Sequence, residues 1–135
     1  MAQRQLFVNL PVRDLARSKA FFARLGFEFD PRFTDANAAC MVVSALGFVM
    51  LLQDRFFRTF TKREPCDTTR HAEALVAFSC ESRAAVDALV GAALDAGATA
   101  AMDPVDHGFM YERSFHDPDG HHWEAFWMDA RRAQG

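Results

Sequence analysis

Near the C-terminal end of the 135-residue chain, His122 and Glu124 stand two positions apart in the run His122-Trp123-Glu124-Ala125-Phe126-Trp127. In an extended strand, residues two apart share a face. An imidazole and a carboxylate would meet there beside Phe126, with Trp123, Ala125 and Trp127 on the other side. Carboxylate and imidazole are the groups that general acid–base chemistry uses, which makes Glu124 and His122 the candidate catalytic residues. The alternative is that Glu124 is held by hydrogen bonds or only orients a ligand. His121 would point away from His122, so the two adjacent histidines cannot act together as a chelating pair.

A second polar cluster is Asp106-His107-Gly108-Phe109-Met110-Tyr111-Glu112-Arg113. Tyr111 and Arg113 share a strand face. If that face is inward, Arg113 would grip a carboxylate or phosphate with its planar fork; otherwise the cluster is a surface turn and a solvated strand. His71 and His116 read as ordinary surface histidines. The chain shows no Ser-His-Asp arrangement, phosphate loop or dinucleotide glycine fingerprint.

These residues need elements to position them. Leu6 to Val12 is apolar and β-rich. Asp14 then caps a helix whose Leu15, Phe21, Phe22 and Leu25 recur at helical spacing, and Gly26 stops it. Short strands follow at Phe27 to Asp30, Ala38 to Val43 and Gly47 to Leu52. The order then repeats. Ala74 to Cys80 is a strand, and Glu81-Ser82 opens a helix with the stripe Val86, Leu89, Val90, Ala93, Leu94, which Gly97 ends. Strands at about 98–102, 109–115 and 121–127 complete it. The chain therefore reads as one α+β domain over 1–130, made of two βαβββ modules at about 5–53 and 73–128. A helical segment over 54–72 joins them, and 131–135 is a disordered tail. In the joining segment Phe56, Phe57 and Phe60 would line one side of a short helix, covering a cleft, meeting a partner subunit or packing into the core.

Composition narrows the function. A formal charge of -3 with pI near 5.9 leaves no basic footprint for nucleic acid. No apolar run approaches a membrane span. The first five residues lack an apolar signal region, which makes the cytoplasm the expected compartment. Half the residues are hydrophobic and 14 are Phe, ample for a buried core. Cys40, Cys66 and Cys80 are odd in number and lack metal-type spacing. Cys40 and Cys80 sit in apolar runs, where a thiol behaves as a small hydrophobe.

The stretch Asp117-Pro118-Asp119-Gly120-His121-His122-Trp123-Glu124 is a tight turn entering a strand with Glu at its fourth position. It resembles the last-strand signature of the vicinal oxygen chelate superfamily, that of glyoxalases, bleomycin resistance proteins and extradiol dioxygenases. The opening from Val8 to Ser18, with Leu25-Gly26-Phe27, resembles that superfamily's first strand and helix. The resemblance spans residues 5–128. It implies that the two modules form a curved, mixed, eight-stranded cup with the site inside it. It also implies that Glu124 faces the cup, and His122 with it. Phe7, Asn9 and Pro11 would line the cup from the first strand, and Leu75, Ala77 and Ser79 from the fifth. The candidate ligand-binding residues are thus Phe7, Asn9, Met50, Leu75 and Ser79, with Tyr111 and Arg113 if they point inward.

In the superfamily's metal enzymes, ligands come from the first and last strands of each module. Those four places fall here on Phe7, on Met50 or Leu51, on Leu75 and on Glu124. One carboxylate among apolar side chains cannot hold Zn²⁺, Fe²⁺, Ni²⁺ or Mn²⁺, which need about three or more N, O or S protein ligands. No metal and no cofactor is expected. The leading expectation is a metal-independent binder of an unidentified small molecule, either sequestering it or acting on it through polar pocket residues. The alternative is a metal-dependent lyase or dioxygenase of the glyoxalase I type, for which His122, Glu124 and His107 would be a substitute ligand set. The resemblance also implies a homodimer.

Overall fold

The computed structural model of the chain describes residues 3–133; Met1, Ala2, Gln134 and Gly135 lie outside the described residues. The chain divides into two compact units, Met1–Cys66 and Asp67–Gly135. Each carries its own mixed sheet, so the α+β fold of two βαβββ modules is what the chain adopts. No helix among the described residues is long and apolar enough to cross a membrane.

In the first unit, β1 (Leu6–Val12) leads into α1 (Leu15–Arg24), then β2 (Glu28–Phe29), β3 (Ala38–Val42) and β4 (Gly47–Gln53). Strand order is β1-β4-β3-β2, with β1 parallel to β4 and the other pairs antiparallel. Parallel pairing requires a crossover, and α1 supplies it. Pro11 has no N–H to give a ladder, which suits β1 to its place at the sheet edge. Asp14 caps α1 by accepting the Arg17 amide at 3.1 Å. Gly26 ends the turn with φ of 97°, where a Cβ would be strained. Alternation along β1 turns Leu10 and Val12 into the core and leaves Phe7 and Asn9 exposed. Phe21 and Phe22 cap that core at 3% and 1% exposure. Burying a side chain of this kind contributes roughly 1.5–3 kcal/mol.

In the second unit, β5 (Leu75–Ser79) leads into α3 (Arg83–Asp95). There follow β6 (Thr99–Ala100), β7 (Val105–Asp106), β8 (Met110–His116) and β9 (His122–Met128). Strand order is β5-β9-β8-β6, with β7 also paired to β8; β5 runs parallel to β9. Ser82 caps α3 by accepting the Ala85 amide at 3.0 Å. Val86, Val90 and Ala93 are fully buried at the expected 3- and 4-residue spacing, against β8 and β9. Trp123, Phe115 and Ala125, all at 0% exposure, form the sheet's side of this core.

Three expectations need correction. Among the described residues nine strands form, not eight, because β7 adds a two-residue pairing that follows no hydrophobic alternation. The segment over 54–72 is helical only at α2 (Asp54–Phe57). Phe60 lies beyond that helix, edge-on to Phe56 at 5.0 Å and 68% exposed, so core packing does not account for it. Finally, Ala130–Ala133 forms a short helix, α4, where the sequence reads as tail; the rest of that tail, 134–135, lies outside the described residues.

Candidate functional site

The turn that enters β9 is built around one carboxylate. Asp117 accepts the amides of Asp119 and His121 at 2.8 and 3.0 Å, and the indole N–H of Trp123 at 2.9 Å. Burial pushes its carboxyl above the usual Asp range. The His121 charge, the indole bond and the amide bonds pull the other way without cancelling it. Gly120 completes the turn with φ of 87°, and a Cβ there would lie 2.7 Å from the Thr68 carbonyl oxygen. Thr68 in turn donates its hydroxyl to the Asp119 carbonyl. The turn thus sets the register with which β9 starts.

Downstream of this anchor, alternation divides β9 into two faces. Trp123 and Ala125 pack under α3, while His122, Glu124 and Phe126 occupy the far face, half-buried. The His122 Nε2 lies 3.3 Å from the Glu124 Oε1. The contact lacks hydrogen-bond alignment, since that buried Nε2 has no hydrogen-bond partner. Among the described residues, none donates a hydrogen bond to the Glu124 carboxylate, although the side chain is only 23% exposed. Register places Leu75, Ala77 and Ser79 of β5 beside His122, Glu124 and Phe126. On the other flank, β8 brings His116 opposite His122, Ser114 opposite Glu124 and Glu112 opposite Phe126. The His116 and His122 rings meet edge to face with centroids 5.4 Å apart. His116, read from sequence as a surface residue, thus belongs to this face. The signal was available, because a tight turn at Asp117–Gly120 forces the residues on either side of it to pair.

Tyr111 and Arg113 are not brought to this face. They alternate onto the α3 side, where both bind one carboxylate: the Tyr111 hydroxyl and an Arg113 nitrogen reach the Asp87 Oδ1 at 2.6 and 3.0 Å. These contacts hold the Asp87 carboxyl below its usual range and raise the Tyr111 phenol. Arg83 lies over the Tyr111 and Trp127 rings and pairs with Asp106, closing off the same side. The inward placement considered from sequence does not hold, because the helix supplies Arg113 with its counter-ion.

Phe7, Asn9 and Met50 are brought together in the first unit, on the face of its sheet turned away from α1. Phe7 stacks on Phe48 at 4.9 Å and Asn9 is paired with Met50. A shallow depression of about 360 Å³ in the same unit, among Ala36, Gln53, Asp54 and Arg55, includes none of the candidates. Gln53 is already engaged there, accepting the Leu15 amide and donating to the Arg13 carbonyl.

Of the four superfamily ligand positions, Glu124 alone carries a carboxylate, imidazole or thiolate, so the residues present fall short of the three or more ligands that a Zn²⁺, Fe²⁺, Ni²⁺ or Mn²⁺ site takes. The substitute set fails too. The His107 amide bonds Met110, six strand positions along β8 from His116, the partner of His122. At about 3.3 Å per residue that is roughly 20 Å. Among the described residues no group of three His, Cys, Asp or Glu side chains could hold a metal ion.

Residues 4–44 match the family model for the N-terminal part of bleomycin resistance protein-like sequences. No curated protein is significantly similar in sequence. Among solved structures, a hypothetical protein from S. aureus is 26% identical, with 94% of this chain and 95% of that chain covered and a TM-score of 0.77. A glyoxalase/bleomycin resistance protein/dioxygenase family enzyme from Burkholderia phytofirmans is 19% identical, with 93% and 99% covered and a TM-score of 0.76. A fosfomycin resistance protein from Mesorhizobium loti is 14% identical, with 100% of both chains covered and a TM-score of 0.70. At such low identity the last two speak to fold alone.

Proposed function

Since the chain belongs, by fold and by N-terminal sequence, to the glyoxalase/bleomycin resistance/dioxygenase superfamily, we propose that it is a small-molecule-binding protein that works without a metal. The ligand is held on the far face of the second sheet, with Glu124 as polar anchor and His122 beside it. One observation carries this reading: the Glu124 carboxylate is half-buried, yet among the described residues no group donates a hydrogen bond to it. A carboxylate so placed is costly unless something supplies donors, and a bound ligand would supply them. Leu75 and Ser79 flank it and add an apolar wall and a hydroxyl, the mixture typical of small-molecule sites. Phe7, Asn9 and Met50 are proposed as contact residues on the first unit's own face.

Metal-dependent chemistry of the glyoxalase I kind is the weaker reading, because Phe7, Leu75 and Met50 stand where ligands would be needed. A homodimer is part of the proposal. β1 and β5 are sheet-edge strands carrying exposed Leu6, Phe7 and Leu75, and bare strand edges call for cover. Light scattering that gives the monomer mass at micromolar concentration would remove this part.

The test is a thermal-shift screen of a small-molecule library against the wild type and Glu124→Gln. A ligand at 100 times its Kd stabilises by about 2.7 kcal/mol, which a melt registers readily. Compounds that raise the wild-type Tm and leave the variant unmoved are expected. A library without effect on the wild type, or with equal effect on both proteins, would end the proposal.

A further inference from the structure

The second unit holds twelve Asp and Glu against five Arg and no Lys, a formal -7; the first holds ten Lys and Arg against six acids, a formal +4. The chain's overall -3 conceals this division. Within the second sheet the charges are sorted again by alternation. The sheet's own cation, Arg113, lies on the α3 side and is paired with Asp87; Arg83 of α3 is paired with Asp106. The far face carries Glu124 and Glu112, and among the described residues neither carboxylate makes a hydrogen bond or an ion pair beyond the misaligned His122 contact. Around them stand two imidazoles, His116 and His122, and the apolar Phe126.

Resting on the small-molecule reading above, we infer that this face takes organic cations: amines or amidines joined to an apolar body, with Glu124 as counter-ion and Glu112 as a second acidic contact. Two acceptor-only side chains without donors favour an N–H-rich cation, since charge-assisted hydrogen bonds are the stronger kind. An anion meets no free guanidinium or ammonium from this sheet and is repelled by the unit's net charge. The aromatic and imidazole rings give the ligand's body a surface to stack on.

Three probes of one shape and different charge test this: benzylammonium, benzyl alcohol and benzoate, each titrated to millimolar concentration into ¹⁵N-labelled protein. The amide resonances of β8 and β9 are followed in the wild type, Glu124→Gln and Glu112→Gln; the spectra themselves report whether each variant is folded. Benzylammonium should perturb residues 112–116 and 122–126 at the lowest concentration. Glu124→Gln should weaken it roughly tenfold, as expected for loss of a charged hydrogen-bond acceptor, with a smaller loss for Glu112→Gln. Benzoate or benzyl alcohol binding here as well as benzylammonium would overturn the cation assignment and leave the site standing. Equal benzylammonium binding to the wild type and Glu124→Gln would overturn the counter-ion. No perturbation of these strands by any probe would overturn both this inference and the binding site on which it rests.

Discussion

The indole N–H of Trp123 donates to the Asp117 carboxylate at 2.9 Å, tying the largest buried side chain of the second unit to the turn that starts its last strand. Asp117→Asn keeps one oxygen for the Asp119 and His121 amides but sets an amide nitrogen against the indole donor. A loss of about 1–3 kcal/mol is expected, the cost of leaving a buried donor unsatisfied. The pH dependence has a definite sign. Because the folded carboxyl titrates above its ordinary 3.8, the native state holds the proton longer than the unfolded chain. Stability therefore falls as pH rises from 3.8 through the folded value. Urea melts across that interval should show the decline in the wild type and a shallower one in Asp117→Asn.

Gly120→Ala combines two penalties, a positive φ and a Cβ driven to 2.7 Å from the Thr68 carbonyl. The first alone costs about 1–2 kcal/mol. Because the second contact is with backbone, the segment around Thr68 must move. Chemical denaturation should place this variant at least as low as Asp117→Asn, and a melt equal to the wild type would contradict the turn geometry.

Tyr111→Phe and Arg113→Ala remove bonds to Asp87 on the side of the sheet opposite Glu124. The Arg113–Asp87 pair is 24% and 53% exposed, so solvent screening limits its loss to about 1 kcal/mol or less. Compounds that bind the wild type should keep their affinity in both variants. A large loss of affinity in Arg113→Ala would put that guanidinium in the site after all.

Incubation with a chelator should leave the Tm unchanged, as should added Zn²⁺ or Ni²⁺, because Glu124 is the one carboxylate, imidazole or thiolate at the four superfamily ligand positions. Elemental analysis that finds near one equivalent of a transition metal, removable with loss of stability, would refute this.

How far the sequence carried the reading depended on whether a signal was local. Both long helices and the seven-residue β1 were legible, since caps at Asp14 and Ser82 and the stripe through Val86, Val90 and Ala93 are properties of neighbouring residues. Alternation sorted the side chains of β1, β5 and β9 into two sets each, and the resemblance implied which set faces the cup. The face of β8 was not legible this way, because Tyr111-Glu112-Arg113 is polar on both sides and gives alternation nothing to sort. It was settled by Asp87, 24 positions from Tyr111. The two-residue β7 was invisible for the same reason: its pairing with β8 rests on backbone contacts. The split into a basic and an acidic unit was present in the composition but averaged away in a single net charge.

Each sheet is closed by a parallel pair that joins the two ends of its own module: Leu6 meets Gly47, and Leu75 meets His122, 41 and 47 positions on. Such distant partners make folding slow relative to a helical chain of the same length. On the ribosome, the first unit has every strand it needs once residue 53 has emerged, and can fold while the second is still being made. The second must wait for residues 122–128. Until then β5 stands without its parallel partner, with Phe78 uncovered. A ribosome stalled short of β9 would therefore release a half-folded chain with a sticky strand, the form that chaperones and proteases would meet first.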